Sequence, residues 1–230
     1  MPEFIFILYK PAVPGNIGAS ARAIKTMGFS LLRLIQPCDH LNDEARKMAH
    51  GSHDILEEAQ IFESFEAGIS DLDYLICTTA KNRSTKFDYY SSREVTAILK
   101  DKAGSLQKIG IIFGTEESGL PNNIIQHSDL AVTIPMKAGY PSLNLSQSVM
   151  IIAYELSWLN ILRTSGARRL KNTQGFSELK QRTQFLLEII GIPPGTPLHH
   201  RIMERVALLK SGDIALLHSV TARLMSALTD

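Results

Sequence analysis

The chain has 230 residues, with 24 Lys and Arg against 23 Asp and Glu, 44% apolar and 20% charged residues. That balance excludes a disordered or fibrous chain, and the length suffices to bury a core without disulfide or metal staples. No apolar run approaches the ~18 residues of a membrane span, and Cys38 and Cys77 make no disulfide framework, so a soluble, cytoplasmic protein is expected.

Apolar run Phe4–Tyr9 reads as a buried strand; it has no basic flank and follows Glu3, unlike a signal peptide. Asn16 is predicted to cap a helix running to Met27, with Gly28 ending it. Further strands are predicted at Leu31–Ile35, Tyr74–Thr78, Ile109–Phe113 and Leu130–Ile134. Ser91 followed by Glu94 has the spacing of a capping box and opens a helix to Lys100. Asn144 is predicted to cap a long apolar helix ending near Leu162. Such alternation implies an α/β fold, a mostly parallel sheet with helices on both faces.

Beyond residue 162 the character changes. Residues 1–162 hold 14 basic and 18 acidic side chains, whereas 163–230 hold ten and five. We divide the chain into a domain at 1–162, a basic linker at 163–175 and a helical extension at 176–230. Helices are predicted at Ser177–Ile190, Leu198–Lys210 and Asp213–Leu228. Three short helices bury little alone, so they should pack on the body, on a second subunit or on an anionic partner such as RNA.

In a parallel sheet, ligands bind beyond the carboxyl ends of the strands, where the unusual residues of this chain fall. After the first strand comes Pro14-Gly15-Asn16-Ile17-Gly18-Ala19-Ser20-Ala21-Arg22, whose glycines permit close backbone approach at a helix N-terminus. A dinucleotide-binding turn, with Asp39 as ribose acid, is one reading, although the spacing is G-x-x-G. Two glycines flank two acids in Phe113-Gly114-Thr115-Glu116-Glu117-Ser118-Gly119-Leu120. Tyr140-Pro141-Ser142-Leu143-Asn144-Leu145 places a polar Ser-x-Asn at the start of a buried helix.

Together N-x-G-x-x-x-R, F-G-x-E-x-x-G-L and S-L-N-L, each after a strand, resemble the three motifs of the SPOUT RNA methyltransferases, in the SpoU or TrmH-type 2′-O-methyltransferase branch. Thr78-Thr79-Ala80-Lys81-Asn82-Arg83 and the helical extension are most similar to the TrmJ and LasT group. The resemblance covers roughly residues 1–160. It implies a deep trefoil knot in the C-terminal part of the sheet, a homodimer with a composite active site, and S-adenosylmethionine as cofactor. The substrate it implies is tRNA, at an anticodon-loop pyrimidine of the position-32 type, or alternatively rRNA.

By resemblance Thr79, Ala80, Lys81, Gly114, Ile134, Pro141, Ser142 and Leu143 would form the cofactor pocket. Arg22 would be the catalytic group, with Asn16 and Glu116 orienting it and Ser142 and Asn144 positioning the ribose. Arg22, Lys81, Arg83, Lys86, Arg168 and Arg169 would contact RNA. A guanidinium is too weak an acid to serve as a base near neutral pH, so Arg22 would act electrostatically. Thr115 stands where related enzymes often carry arginine. The dimer interface is expected near Val149–Leu162 and Asn16–Met27. No metal site is expected at His50 and His53, His199-His200 is read as solvated, and Trp158 as core or interface. A nicotinamide-dependent oxidoreductase and a non-catalytic knotted RNA-binding protein are the competing readings.

Overall fold

A computed structural model describes residues 2–80, 86, 88–102, 105–137, 143–164 and 175–229, with main chain alone at 160–164 and 229. The predicted Lys81, Arg83, Pro141, Ser142, Arg168 and Arg169 lie outside the described residues.

In chain order the elements are β1 (Glu3–Tyr9), α1 (Pro14–Thr26), β2 (Leu31–Ile35), α2 (Asp43–Met48), α3 (His53–Glu57), β3 (Gln60–Phe62), α4 (Phe65–Ile69) and β4 (Tyr74–Thr78). They continue as β5 (Tyr90–Ser91), α5 (Ser92–Lys100), β6 (Lys108–Phe113), α6 (Asn122–His127), β7 (Leu130–Thr133) and α7 (Leu145–Thr164). Three C-terminal helices follow, α8 (Phe176–Ile189), α9 (Pro197–Ala207) and α10 (Ser211–Thr229).

The seven strands form one sheet in the order β3-β2-β1-β6-β4-β7-β5, and every recorded pairing is parallel. Strand periodicity divides the core. Phe4, Phe6 and Leu8 enter the cluster on one face, with α1, α5 and α7, while Ile5 and Ile7 enter the other, with Phe65 of α4 and Ile124 of α6. The five predicted strands are present. The edge strands β3 and β5, three and two residues long, add to them and carry too little apolar sequence to announce themselves.

Two details correct the sequence reading of α1. The helix begins at Pro14 with Val13 at the N-cap, so Asn16 sits inside the first turn and is not the cap. Proline fits the first helical position, because its fixed φ suits the helix and no N–H is needed there. Gly28 closes the helix as expected, at φ 81°. Gly18 lets α2 approach: a β-carbon there would lie 2.0 Å from the Ala45 carbonyl oxygen.

The C-terminal helices dock on the body. Phe176, Leu179 and Ile214 are fully buried. The Tyr74 hydroxyl donates to the Ala207 carbonyl at 2.9 Å, and the Tyr74 and Phe176 rings lie 5.5 Å apart. Lys102 is buried between these rings, its ammonium 5.7 and 5.1 Å from their centroids, and donates to the Leu209 carbonyl. Charge complementarity reinforces the contact: Lys180 pairs with Asp129 at 2.6 Å, while Arg201 and Arg205 meet Asp88 at 2.8 and 3.1 Å.

This docking overturns two surface expectations. Lys86 is not an RNA contact; it is buried under α9, donating to the Ser128 carbonyl at 2.5 Å with Glu204 3.8 Å away. His199 is not solvated but only 6% exposed. Trp158 is no core residue either: it is 45% exposed and packs edge-on to Tyr154, itself 50% exposed. The other side of α7 carries buried Val149, Ile152, Ala153 and Leu156. Among the described residues no helix is long and apolar enough to cross a membrane.

Candidate active site

The three sequence motifs meet at the carboxyl end of the sheet. Glu116, in the loop after β6, reaches across to the segment preceding α1. Its carboxylate accepts from the Ala12 and Val13 backbone N–H groups at 3.1 and 3.3 Å and from the Asn16 side-chain amide at 3.0 Å. Burial raises the Glu116 carboxyl, but the hydrogen bonds from Asn16, Ala12, its own N–H and Val13 outweigh it and hold the group below its ordinary value. The ionised carboxylate also supplies the negative charge that the first turn of α1 lacks.

The chain of contacts continues into the third motif. Asn144 donates through its side-chain amide to the Asn16 amide oxygen at 2.9 Å. Its own amide oxygen accepts from the backbone N–H and hydroxyl of Ser146, both at 2.8 Å, and so caps α7 as predicted. Because an ionised carboxylate can only accept, Asn16 must turn its NH2 toward Glu116 and its oxygen toward Asn144, which fixes the hydrogen-bond direction throughout. Glu116, Asn16 and Asn144, predicted as one constellation, therefore stand together.

Beside them opens a cleft of about 280 Å3, lined by Thr79, Gly114, Leu120, Ile134, Met136 and Leu143, with Ala80 at its edge. The predicted cofactor residues among the described ones thus share one cavity. A β-carbon on Gly114 would lie 2.2 Å from the Gly119 carbonyl carbon and 2.3 Å from the Leu120 nitrogen, so only glycine fits. Thr115 and Gly119 close the turn with reciprocal backbone bonds of 3.2 and 3.0 Å, and Gly119 takes φ 72°. The Thr115 hydroxyl lies 3.0 Å from that of Ser118 and so is engaged within its own loop. Sequence reasoning missed the Ala12 and Val13 amides and Met136. Backbone donors leave no residue signature, and a lone methionine after a strand carries none.

Arg22 stands apart. It is exposed, and its guanidinium has no hydrogen bond or ion pair among the described residues. On α1 it follows Asn16 by six residues, which places the two side chains on faces about 120° apart. Within the subunit Arg22 makes no hydrogen bond with Asn16 or Glu116, the two residues that the resemblance implies orient it. Asp39, the alternative ribose acid, accepts from the Leu41 N–H at 3.1 Å and closes a local turn. His53 bonds the Arg46 carbonyl at 2.9 Å, and no group of three potential metal ligands occurs among the described residues.

Fold and site together define a parallel α/β protein with a glycine-cradled cleft and a polar clamp at its rim. Residues 3–154 match the model of the SpoU rRNA Methylase family, and residues 173–228 that of the "tRNA/rRNA methyltransferase LasT, C-terminal domain". The chain belongs to this family of S-adenosylmethionine-dependent RNA 2′-O-methyltransferases, within the TrmJ and LasT group of the SPOUT superfamily. It is 36% identical over 213 residues to the "Uncharacterized tRNA/rRNA methyltransferase LasT" of Escherichia coli, covering 92% of each chain. It is 36% identical over 153 residues to the "tRNA (cytidine-2'-O-)-methyltransferase TrmJ" of Methanocaldococcus jannaschii, covering 65% of each. A solved probable methyltransferase from Bordetella pertussis superposes with a TM-score of 0.62 at 32% identity, over 68% of this chain and 95% of that one.

The cleft suits such a cofactor. Leu120, Ile134, Met136 and Leu143 offer apolar surface for a flat base, while the backbone at Gly114 can approach a ligand closely. Its volume is near the lower end of the ~300–1,000 Å3 typical of small-molecule sites.

Proposed function

We propose that this protein methylates the ribose 2′-hydroxyl of a pyrimidine in the tRNA anticodon loop, acting as a cytoplasmic homodimer whose active site is shared between subunits. The observation that carries the reading is the continuous chain Glu116–Asn16–Asn144 at the rim of the Gly114 cleft. It ties the three motif loops into one rigid wall, which is what positioning two reactants requires. The substrate class rests on the TrmJ relative, whose name specifies tRNA cytidine.

Bound S-adenosylmethionine supplies a methyl group on a sulfonium, activated for displacement by a hydroxyl oxygen. The protein's part is placement and electrostatics. In this reading Thr79, Ala80, Lys81, Gly114, Ile134, Pro141, Ser142 and Leu143 hold the cofactor, largely through backbone groups. Asn144 and Ser142 hold the ribose. Arg22, always charged, binds the neighbouring phosphate and stabilises the alkoxide as the hydroxyl loses its proton. Arg22 lies about 120° around α1 from Asn16, and in this reading the cleft it serves is the partner's. Exposed Tyr154 and Trp158 on α7 give that dimer an apolar contact. In this reading the C-terminal part of the sheet carries the trefoil knot that the resemblance implies.

The tail's role in binding RNA narrows. Lys180, Arg201 and Arg205 are engaged with Asp129 and Asp88 on the body, which leaves the basic linker with Arg168 and Arg169, and exposed Lys210 and Arg223, for phosphate contacts. An rRNA substrate is the second reading, favoured by the family description and by the double name of the E. coli relative. Mapping 2′-O-methylation in total RNA from cells lacking the protein decides between them. Loss at an anticodon-loop pyrimidine supports the proposal, and loss confined to rRNA replaces it.

A further inference from the structure

The carboxyl end of the sheet, where RNA must approach the cleft, carries an unfavourable charge. In the loops that follow β1, β2, β3, β6 and β7, the described residues before the next helix include four acids, Asp39, Glu63, Glu116 and Glu117, against two cations, Lys10 and Lys137. Such a rim repels a polyanion unless a cation is placed to receive it.

Lys10 is placed by its backbone. It follows β1 directly and has φ 47°, in the left-handed region; Gln36, at the end of β2, is the other non-glycine residue with positive φ among those described. Glycine or asparagine adopts this conformation at less cost, so a lysine held there implies that its side chain is used. The turn is fixed on both sides. The Lys10 N–H donates to the Ile35 carbonyl at 2.8 Å, and the Pro11 carbonyl accepts from the Cys38 N–H at 3.1 Å. The turn also redirects the side chain. Alternation along β1 puts Phe4, Phe6 and Leu8 on the face covered by α1 and α7, and an extended Lys10 would follow them into apolar surroundings. Instead Lys10 is exposed, its ammonium 5.4 Å from the Tyr9 ring centroid and without a carboxylate partner among the described residues. The ring restrains the ammonium without neutralising it, which leaves the charge for an external anion.

The position is beside the clamp. Leu8 pairs with Phe113 across β1 and β6, and further along the Ala12 and Val13 N–H groups bind Glu116. Lys10 is bracketed between these contacts, next to the loop of Gly114 and Thr115. That loop has no cation of its own, and the Thr115 hydroxyl is engaged with Ser118 at 3.0 Å. Lys137 also lies near the cleft, one residue beyond Met136, but without the left-handed backbone. We propose that Lys10 binds a phosphate of the RNA backbone beside the Glu116 clamp and so fixes the register in which the target ribose enters the cleft. The inference rests on the RNA methyltransferase reading given above.

The test measures binding of unfractionated tRNA and of rRNA, separately, to the full-length protein saturated with S-adenosylmethionine, across about 50–200 mM salt. Two variants separate charge from shape. Lys10→Asn suits the left-handed backbone and removes the charge, whereas Lys10→Arg keeps the charge. For the RNA that wild type binds, Lys10→Asn should weaken affinity about two- to tenfold at low salt. It should also reduce the slope of log affinity against log salt by about 0.7–0.9, the loss of one phosphate contact. Lys10→Arg should restore both, and calorimetry should find the same S-adenosylmethionine affinity in all three proteins. A wild-type slope retained in full by Lys10→Asn overturns the role of Lys10 and leaves the methyltransferase reading standing. Equal losses in Lys10→Asn and Lys10→Arg would make the effect one of backbone shape and also overturn it. Failure of wild type to bind either RNA overturns that reading and this inference together.

Discussion

Asn16 and Asn144 stand 128 positions apart in the chain, yet the Asn144 amide donates to the Asn16 amide oxygen at 2.9 Å. The bond closes a path from the Glu116 carboxylate to the first turn of α7, so each motif loop is held by another as well as by its own sequence neighbours.

Two substitutions at Asn144 separate the cap from the clamp. Asn144→Asp keeps an oxygen for the Ser146 N–H but removes the donor to Asn16 and adds charge near Glu116. It should leave the melting temperature nearly unchanged and lower kcat by a factor on the order of 10². Asn144→Ala should lose the same activity and about 1 kcal/mol of stability as well. Thermal melts and single-turnover methylation of RNA measure the two effects; an active Asn144→Asp enzyme would remove the clamp from the mechanism.

Gly114→Ala tests the cradle. The new β-carbon meets backbone 2.2–2.6 Å away at Gly119 and Leu120, which cannot yield as a flexible side chain could. The loop must shift, and S-adenosylmethionine affinity should fall at least about tenfold, or 1.4 kcal/mol. Calorimetry reads this directly, and unchanged affinity would place the cofactor elsewhere.

Much of this site was legible in the residues before any coordinates. Glycine spacing and the apolar strands located the loops because both are local properties of the chain. The error over Asn16 was also local. Asparagine is a favoured N-cap, and only the competing preference of Pro14 for the first helical position freed Asn16 to bridge Glu116 and Asn144. Lys86 and His199 were misread for a different reason. Each looks like a surface residue until α9 docks on the body, a contact between segments more than a hundred residues apart that no periodicity encodes.

Lys102 makes that docking pH-dependent. Burial pushes its ammonium down from 10.5 to about 8, against the smaller opposing pull of Asp129 and Asp101. A lowered lysine means that the unfolded chain binds more protons between these values, so stability should rise as pH climbs from about 8 toward 10.5. At 1.36 kcal/mol per unit the gain is at most about 3 kcal/mol. Urea unfolding of wild type and Lys102→Met at pH 7.5 and 10 isolates it from other titrations. The stability of wild type relative to the variant should increase with pH, and a constant difference would contradict the assignment.

The central claim is that Arg22 of one subunit serves the cleft of the other. Co-expressing Arg22→Ala with Gly114→Val, each inactive alone, and purifying the mixed population measures it. Random pairing makes half the dimers mixed, and each mixed dimer regains one site, with an intact cleft from the Arg22→Ala subunit and Arg22 from the other. Methyl transfer should recover to about a quarter of the wild-type rate per site. Mixed dimers no more active than the two parents would contradict a shared site and return Arg22 to its own subunit.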